Sequence, residues 1–88
     1  MPVISIFYGI IISMFAEKGN KHNTPHIHAK YGDEKAIFDL SGELLAGDLP
    51  YKKKQIVKAW VLIHEEDLRA NWELCLENES PFKIEGLR

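Results

Sequence analysis

The chain is poor in several features that would narrow its role at once. One cysteine, Cys75, stands among 88 residues. That count excludes an internal disulfide, and without a CxxC partner it builds no redox or zinc motif. A reducing compartment suits such a chain, and a cytoplasmic location is expected. No charge of one sign dominates: 11 Lys and Arg face 13 Asp and Glu, for a net charge of −2. A globally basic nucleic-acid binder is thereby excluded. No long apolar run is present. Ile10 to Ala16 is apolar but falls well short of the ~20 residues that cross a bilayer, and it lacks the positive flank of a signal peptide. Internal repeats and low-complexity segments are missing too. One domain over residues 1–88, with one modest core, is what this length supports.

What is there is unevenly distributed. Residues 1–58 carry a net charge of +2 and residues 59–88 one of −4. The first part reads as strands over about 2–46. Pro2 to Phe7 and Ile10 to Ala16 are β-branched and apolar around a Tyr8-Gly9 turn, a hairpin expected to be covered on much of both faces or central in its sheet. A polar loop, Glu17 to Thr24, leads to Pro25, which holds Thr24 extended. Two further strands follow, His26 to Tyr31 and Lys35 to Leu40, with Gly32-Asp33-Glu34 as the turn signal. Glu43 to Gly47 is either a short strand or a sharp connection.

The second part reads as a helical segment over about 50–78. Asp48-Leu49-Pro50 is a helix start, with Asp48 or a neighbour as cap and Pro50 in the first turn. Val57, Val61, His64, Leu68, Trp72 and Cys75 recur on one helical face, widened by Ile56, Trp60 and Ile63. A single helix of that length would overhang so small a domain, so a bend is expected near His64 to Asp67. Pro81 ends the segment, and a short tail spans 80–88, with Phe82 to Ile84 able to return as a strand. The class expected is α+β: an antiparallel sheet of four or five strands, built from two N-terminal hairpins. A C-terminal helix or bent helix pair covers one face.

The chemistry concentrates in His26-Ile-His-Ala-Lys-Tyr31. Strand side chains alternate between faces, so His26, His28 and Lys30 share one face while Ile27, Ala29 and Tyr31 share the other. If Ala36, Phe38 and Leu40 join the buried set, Ile37 and Asp39 fall on the histidine face. The two natural loop lengths place Asp39 opposite His28 or His26, where a carboxylate would orient an imidazole and fix its tautomer. His26, His28 and Asp39 are therefore the catalytic candidates. Lys30, Tyr31 and the run Lys52-Lys53-Lys54, which opposes the helix dipole, are the binding candidates. His22 is expected to be a solvated loop residue, His64 a hydrogen-bonded core histidine, and Cys75 a small buried hydrophobe. Trp60 and Trp72 have the spacing of packing aromatics.

With those residues in view, the chain resembles the bacterial domain-of-unknown-function 4160 family. The resemblance rests on Met1 to Ile10, Pro25-His-Ile-His-Ala-Lys-Tyr-Gly32, Gly42 to Pro50, Trp60 to His64 and Asn71-Trp-Glu-Leu74. It implies a small bacterial protein of a toxin–antitoxin-like gene pair. A weaker similarity over Pro25 to about Leu68 is to the HicA-type messenger-RNA interferases. It rests on a strand histidine, a hairpin, the Leu44 to Leu49 turn and a following helix, and it implies a catalytic histidine on the strand holding His26 and His28.

Three functions follow as expectations. The first is a toxin–antitoxin-type ribonuclease that works without metal or cofactor. One imidazole takes the 2′-hydroxyl proton, the other protonates the leaving 5′-oxygen, and Lys30 offsets the developing charge. The second is a non-catalytic, antitoxin-like module binding a partner chain. The third is a His/Asp metal site, in which His22 supplies a further ligand. The implied partners are RNA and a cognate antitoxin-like protein, with no membrane.

Overall fold

A computed structural model of the chain describes residues 2–16 and 24–87. Five strands precede two helices: β1 (Val3–Phe7), β2 (Ile10–Ser13), β3 (His26–Tyr31), β4 (Glu34–Asp39), β5 (Leu44–Gly47), α1 (Tyr51–Ile63) and α2 (Glu65–Leu76). The strands form one antiparallel sheet in the order β1-β2-β3-β4-β5, the α+β arrangement expected. Each neighbour in sequence is a neighbour in the sheet: two-residue turns join β1 to β2 and β3 to β4, and the longer connection from Ser13 to His26 still brings β3 beside β2, as consecutive strands usually lie.

Turn chemistry sets the registers. Tyr8 and Gly9 both take positive φ, 50° and 77°, the two-residue turn whose twist matches its flanking strands. Gly32, at φ 60°, and Asp33 close the second hairpin in two residues. That shorter loop pairs Tyr31 with Glu34, His28 with Ile37 and His26 with Asp39.

Parity then divides the side chains. Ile10, Ile12, Ile27, Ala29, Ala36 and Phe38 are at most 2% exposed and pack in one cluster with Val57, Trp60, Val61, Leu68 and Trp72 of the helices. Full burial of one such aliphatic or aromatic side chain contributes roughly 1.5–3 kcal/mol. The helices therefore have one strongly preferred seat, the face carrying Ile27 and Phe38. The expected bend is a break at His64, whose φ of −107° lies outside the helical range. Its N–H still bonds Trp60 O and its C=O accepts from Leu68 N–H, so α2 starts without a gap. Glu65, Glu66 and Asp67 occupy the first turn of α2, where the helix dipole favours negative charge.

Four details differ from the sequence expectations. β1 is an edge strand, and Ile6 and Ile11 of the first hairpin are 64% and 38% exposed. Their apolar character serves a face that no helix covers, not a doubly buried sheet. Ile63, expected to widen the packing stripe, is 65% exposed because it is turned away from the face that Val57 and Val61 bury, two residues on from Val61 at 3.6 residues per turn. Pro50 holds the N-cap position of α1 with no side-chain cap. Asp48 instead accepts from Leu49 N–H and Lys54 Nζ, both at 2.9 Å. The C-terminal tail forms no ladder but is fastened at three points: Asn71 to Phe82, Trp60 Nε1 to Glu85 O, and Ile84 N–H to Ile4 O.

Candidate functional site

The two strand histidines do come together. Their ring centroids lie 5.1 Å apart, edge to face, closer than the ~7 Å that two residues of strand would separate them. Side-chain packing draws them in. His28 stacks on Phe15 at 4.4 Å, with the rings within 13° of parallel. His26 leans toward Trp72 of α2, centroid to centroid 5.1 Å. Phe15, His28, His26 and Trp72 thus form a file of rings around one end of the sheet. Both imidazoles are half-buried in it, and Nε2 of His28 is closed off from solvent. His26 Nδ1 lies 2.8 Å from Thr24 O, and a carbonyl only accepts, so Nδ1 carries a proton. Pro25 favours this contact by holding Thr24 extended.

Asp39 sits opposite His26 in the ladder, one of the two placements expected, yet its carboxylate is engaged elsewhere. Oδ1 accepts from Ser41 N–H at 2.9 Å, Ser41 Oγ–H at 2.7 Å and Glu43 N–H at 2.9 Å. Partial burial pushes the carboxyl pKa up. The Ser41 hydroxyl and the backbone N–H groups of Glu43, Ser41 and Gly42 outweigh that and hold it below the usual aspartate value. The physical reason is local. A short Asx-type turn needs an acceptor for its free donors, and a side chain two residues away reaches them before it reaches across a strand. The carboxylate is a turn cap, and the orienting contact to His26 comes from the Thr24 carbonyl.

The larger feature is the rest of that face. The registers line up Val3, Ser13, His28, Ile37 and Ala46 in one rank across all five strands, and Ile6, Ile11, Lys30 and Lys35 in the next. A hollow of about 480 Å³ opens among them, bordered by strand residues and by no residue of either helix. Among the described residues its border holds Lys30, Lys35 and His28 but no carboxylate. Lys30 and Lys35 are direct cross-strand partners, and both are exposed. Motif reasoning from the histidines missed this surface. Its signal lay in the unbroken apolar run of β2 and in Ile37 sharing parity with the imidazoles.

The remaining binding candidates lie elsewhere. Tyr31 is at the far end of β3 from His26, roughly 16 Å along the strand. Lys53 reaches back to Tyr8 O at 3.1 Å and sits 4.9 Å over the Tyr31 ring. Lys54 pairs with Asp48 at 2.9 Å, while Lys52 is exposed. These contacts tie the start of α1 to the sheet, so two of the three lysines are occupied within the fold. His64 packs on Trp60, 5.5 Å between centroids, and its Nδ1 is 3.9 Å from Asp67. Cys75 is buried with Sγ 3.8 Å from Met14 O, and burial pushes its thiol pKa up. His22, the further metal ligand considered, lies outside the described residues. Among the described residues no three His, Cys, Asp or Glu side chains gather as a metal set. No helix among them is long and apolar enough to cross a membrane.

Fold and site together define a small two-layer α+β protein. Its sheet is packed on one side and presents an apolar, cation-edged hollow on the other. Over residues 9–73 the chain matches the family model described as "Domain of unknown function (DUF4160)". The match covers well over half of the chain, and the chain belongs to that family. No curated protein and no solved structure matches it, and the similarity to HicA-type interferases has no counterpart in these comparisons.

Proposed function

We propose that this protein is a binding module that docks a partner protein on the outer face of its sheet, as one member of a toxin–antitoxin-type pair. The observation that carries the reading is the hollow of about 480 Å³ on a sheet face that neither helix borders. Aliphatic side chains held on a rigid sheet lose unfavourable contact with water when a complementary chain covers them. Co-expression with the product of the neighbouring gene tests this. The two chains are expected to co-purify, and Ile11→Glu or Ile37→Glu is expected to separate them while the circular dichroism of the variant stays native. A complex that survives both substitutions, or a wild-type chain that leaves its neighbour unbound, refutes the reading.

A second reading is metal-independent RNA cleavage by His26 and His28. It is favoured by the 5.1 Å separation of the rings and by the Thr24 carbonyl. With Nδ1 protonated, a neutral His26 ring keeps its lone pair on Nε2, the form of a general base. His28 would then return a proton to the leaving 5′-oxygen. The covered Nε2 of His28 and the engaged Asp39 carboxylate count against it, which places it second. Growth inhibition on induced expression is its test: His26→Ala and His28→Ala should each relieve it, and equally harmful variants exclude RNA cleavage by this pair.

A further inference from the structure

We propose that the partner segment seated on the outer face is an amphipathic helix, its aliphatic stripe in the hollow and its flanking carboxylates over Lys30 and Lys35. The inference rests on the reading of that face as a protein-docking surface, and it adds the conformation and charge of the occupant.

The charge follows from the two lysines. They stand directly opposite each other in the β3–β4 ladder. There, Cβ atoms lie ~5 Å apart and like charges destabilise the pairing. Among the described residues neither forms an ion pair, and none puts a carboxylate on the border of the hollow beside them. Two uncompensated cations beside an apolar floor match an anionic group attached to an aliphatic one. Glutamate or aspartate flanking leucine-like residues supplies that combination.

The conformation follows from the backbone. β2, β3 and β4 are interior strands, so their N–H and C=O groups are bonded to neighbours on both sides. An occupant lying on the face finds no main-chain partners there, and an extended segment would bury its own polar backbone unpaired. A helix bonds its backbone internally and presents only side chains. With a diameter of ~10–12 Å it covers two to three strands at their ~4.8 Å spacing.

Other occupants fit less well. A second copy of this chain packed hollow to hollow brings two lysine pairs to one apolar seam, and one that offers acidic residues such as Glu65, Glu66 and Asp67 of α2 sets a different surface against the sheet of the first. Such a contact is head-to-tail and does not close into a dimer. RNA would meet a floor made of Val3, Ile11, Ile37 and Ala46, where the described residues offer its bases no aromatic platform, since Phe15 and His28 are already stacked on each other.

The test titrates the full chain with three probes. One is a helix-stapled peptide of about four turns with a leucine stripe flanked by glutamate. The second carries lysine in place of each glutamate, and the third is a single-stranded oligouridylate. The glutamate peptide is expected to bind and to shift the amide resonances of Ile11 and Ile37. The double variant Lys30→Glu/Lys35→Glu should weaken it about tenfold or more and bring the lysine peptide up to comparable affinity. Equal affinity of both peptides for the wild-type chain overturns the inference. So does oligouridylate displacing the peptide, or a dimer in sedimentation that Ile11→Glu abolishes. The cognate complex separates the two layers of argument. Loss in Ile37→Glu with indifference to the lysine swap refutes the acidic helix alone, whereas indifference to both refutes the docking surface as well.

Discussion

Asp39 offers the sharpest separation between a structural and a catalytic carboxylate. Its Oδ1 collects three donors from Ser41 and Glu43 at 2.7–2.9 Å, the work a capping residue does at a helix start. Losing such a cap costs about 0.5–2 kcal/mol. Partial solvent access to the turn keeps the figure within that range despite the charge. Asp39→Ala is expected to cost about 2 kcal/mol. Asp39→Asn, which keeps the acceptor and loses the charge, should cost about half as much. For a domain of this size that is a fall in Tm of roughly 8–16 °C for alanine and half of that for asparagine. The pH dependence has a definite sign. The folded carboxyl pKa lies below its ordinary value of 3.8. Its contribution is therefore complete above that value and fades as pH falls through the folded pKa. Melts followed by tryptophan fluorescence should show a wild-type advantage over Asp39→Ala at neutral pH that shrinks below about pH 4. At fixed pH, the imidazole resonances of His26 and His28 should be the same in Asp39→Asn as in the wild type. Superimposed neutral-pH melts, or displaced imidazole resonances, would mean that the carboxylate serves the rings and that the turn does not need it.

Three more predictions concern how the fold is held. Asn71 is fully buried and exchanges two hydrogen bonds with Phe82, at 2.8 and 2.9 Å. Asn71→Ala should cost about 2–3 kcal/mol, and its effect should combine less than additively with Ile84→Ala, because both release the same tail. Full additivity in urea melts would refute the clamp. Lys35→Thr removes one of two directly opposed lysines and should raise stability by a few tenths of a kcal/mol, read as a small increase in Tm; a decrease would show that the pair is not repulsive. Gly47 has φ +71°, and a Cβ there meets the Lys35 carbonyl. Gly47→Ala should therefore detach β5 and speed hydrogen exchange at Asp48, whose N–H bonds Lys35 O at 3.1 Å. Unchanged protection of that amide would contradict the steric account.

Much of the architecture was legible in the chain. Alternation in His26 to Tyr31 and Lys35 to Leu40 assigned the faces correctly, since a strand offers only two. The glycine-bearing turns narrowed the register to two choices, one of which is observed. The helical stripe from Val57 to Cys75 was read correctly in outline. It omitted Asn71, whose polar side chain is fully buried only because a distant tail brings it a matching backbone pair. The Asp39 contact to the imidazoles was misread for a related reason. Register states which Cα atoms face each other but not which donors compete for a carboxylate, and the nearest donors lay along the chain.

The sequence by itself determined the layering, the two N-terminal hairpins and the side of the sheet on which the histidines and Lys30 fall. Those follow from periodicities of two and 3.6 and from turn residues, all local properties of a polypeptide. Only the tertiary structure decided that the imidazoles pack between Phe15 and Trp72, that Lys53 and Lys54 are occupied within the fold, and that Ile11, Ile37 and Ala46 border one hollow. Contacts between residues far apart in sequence depend on which surfaces the helices leave uncovered. Two helices on a five-stranded sheet cover one face, and the hollow bordered by strand residues lies on the other.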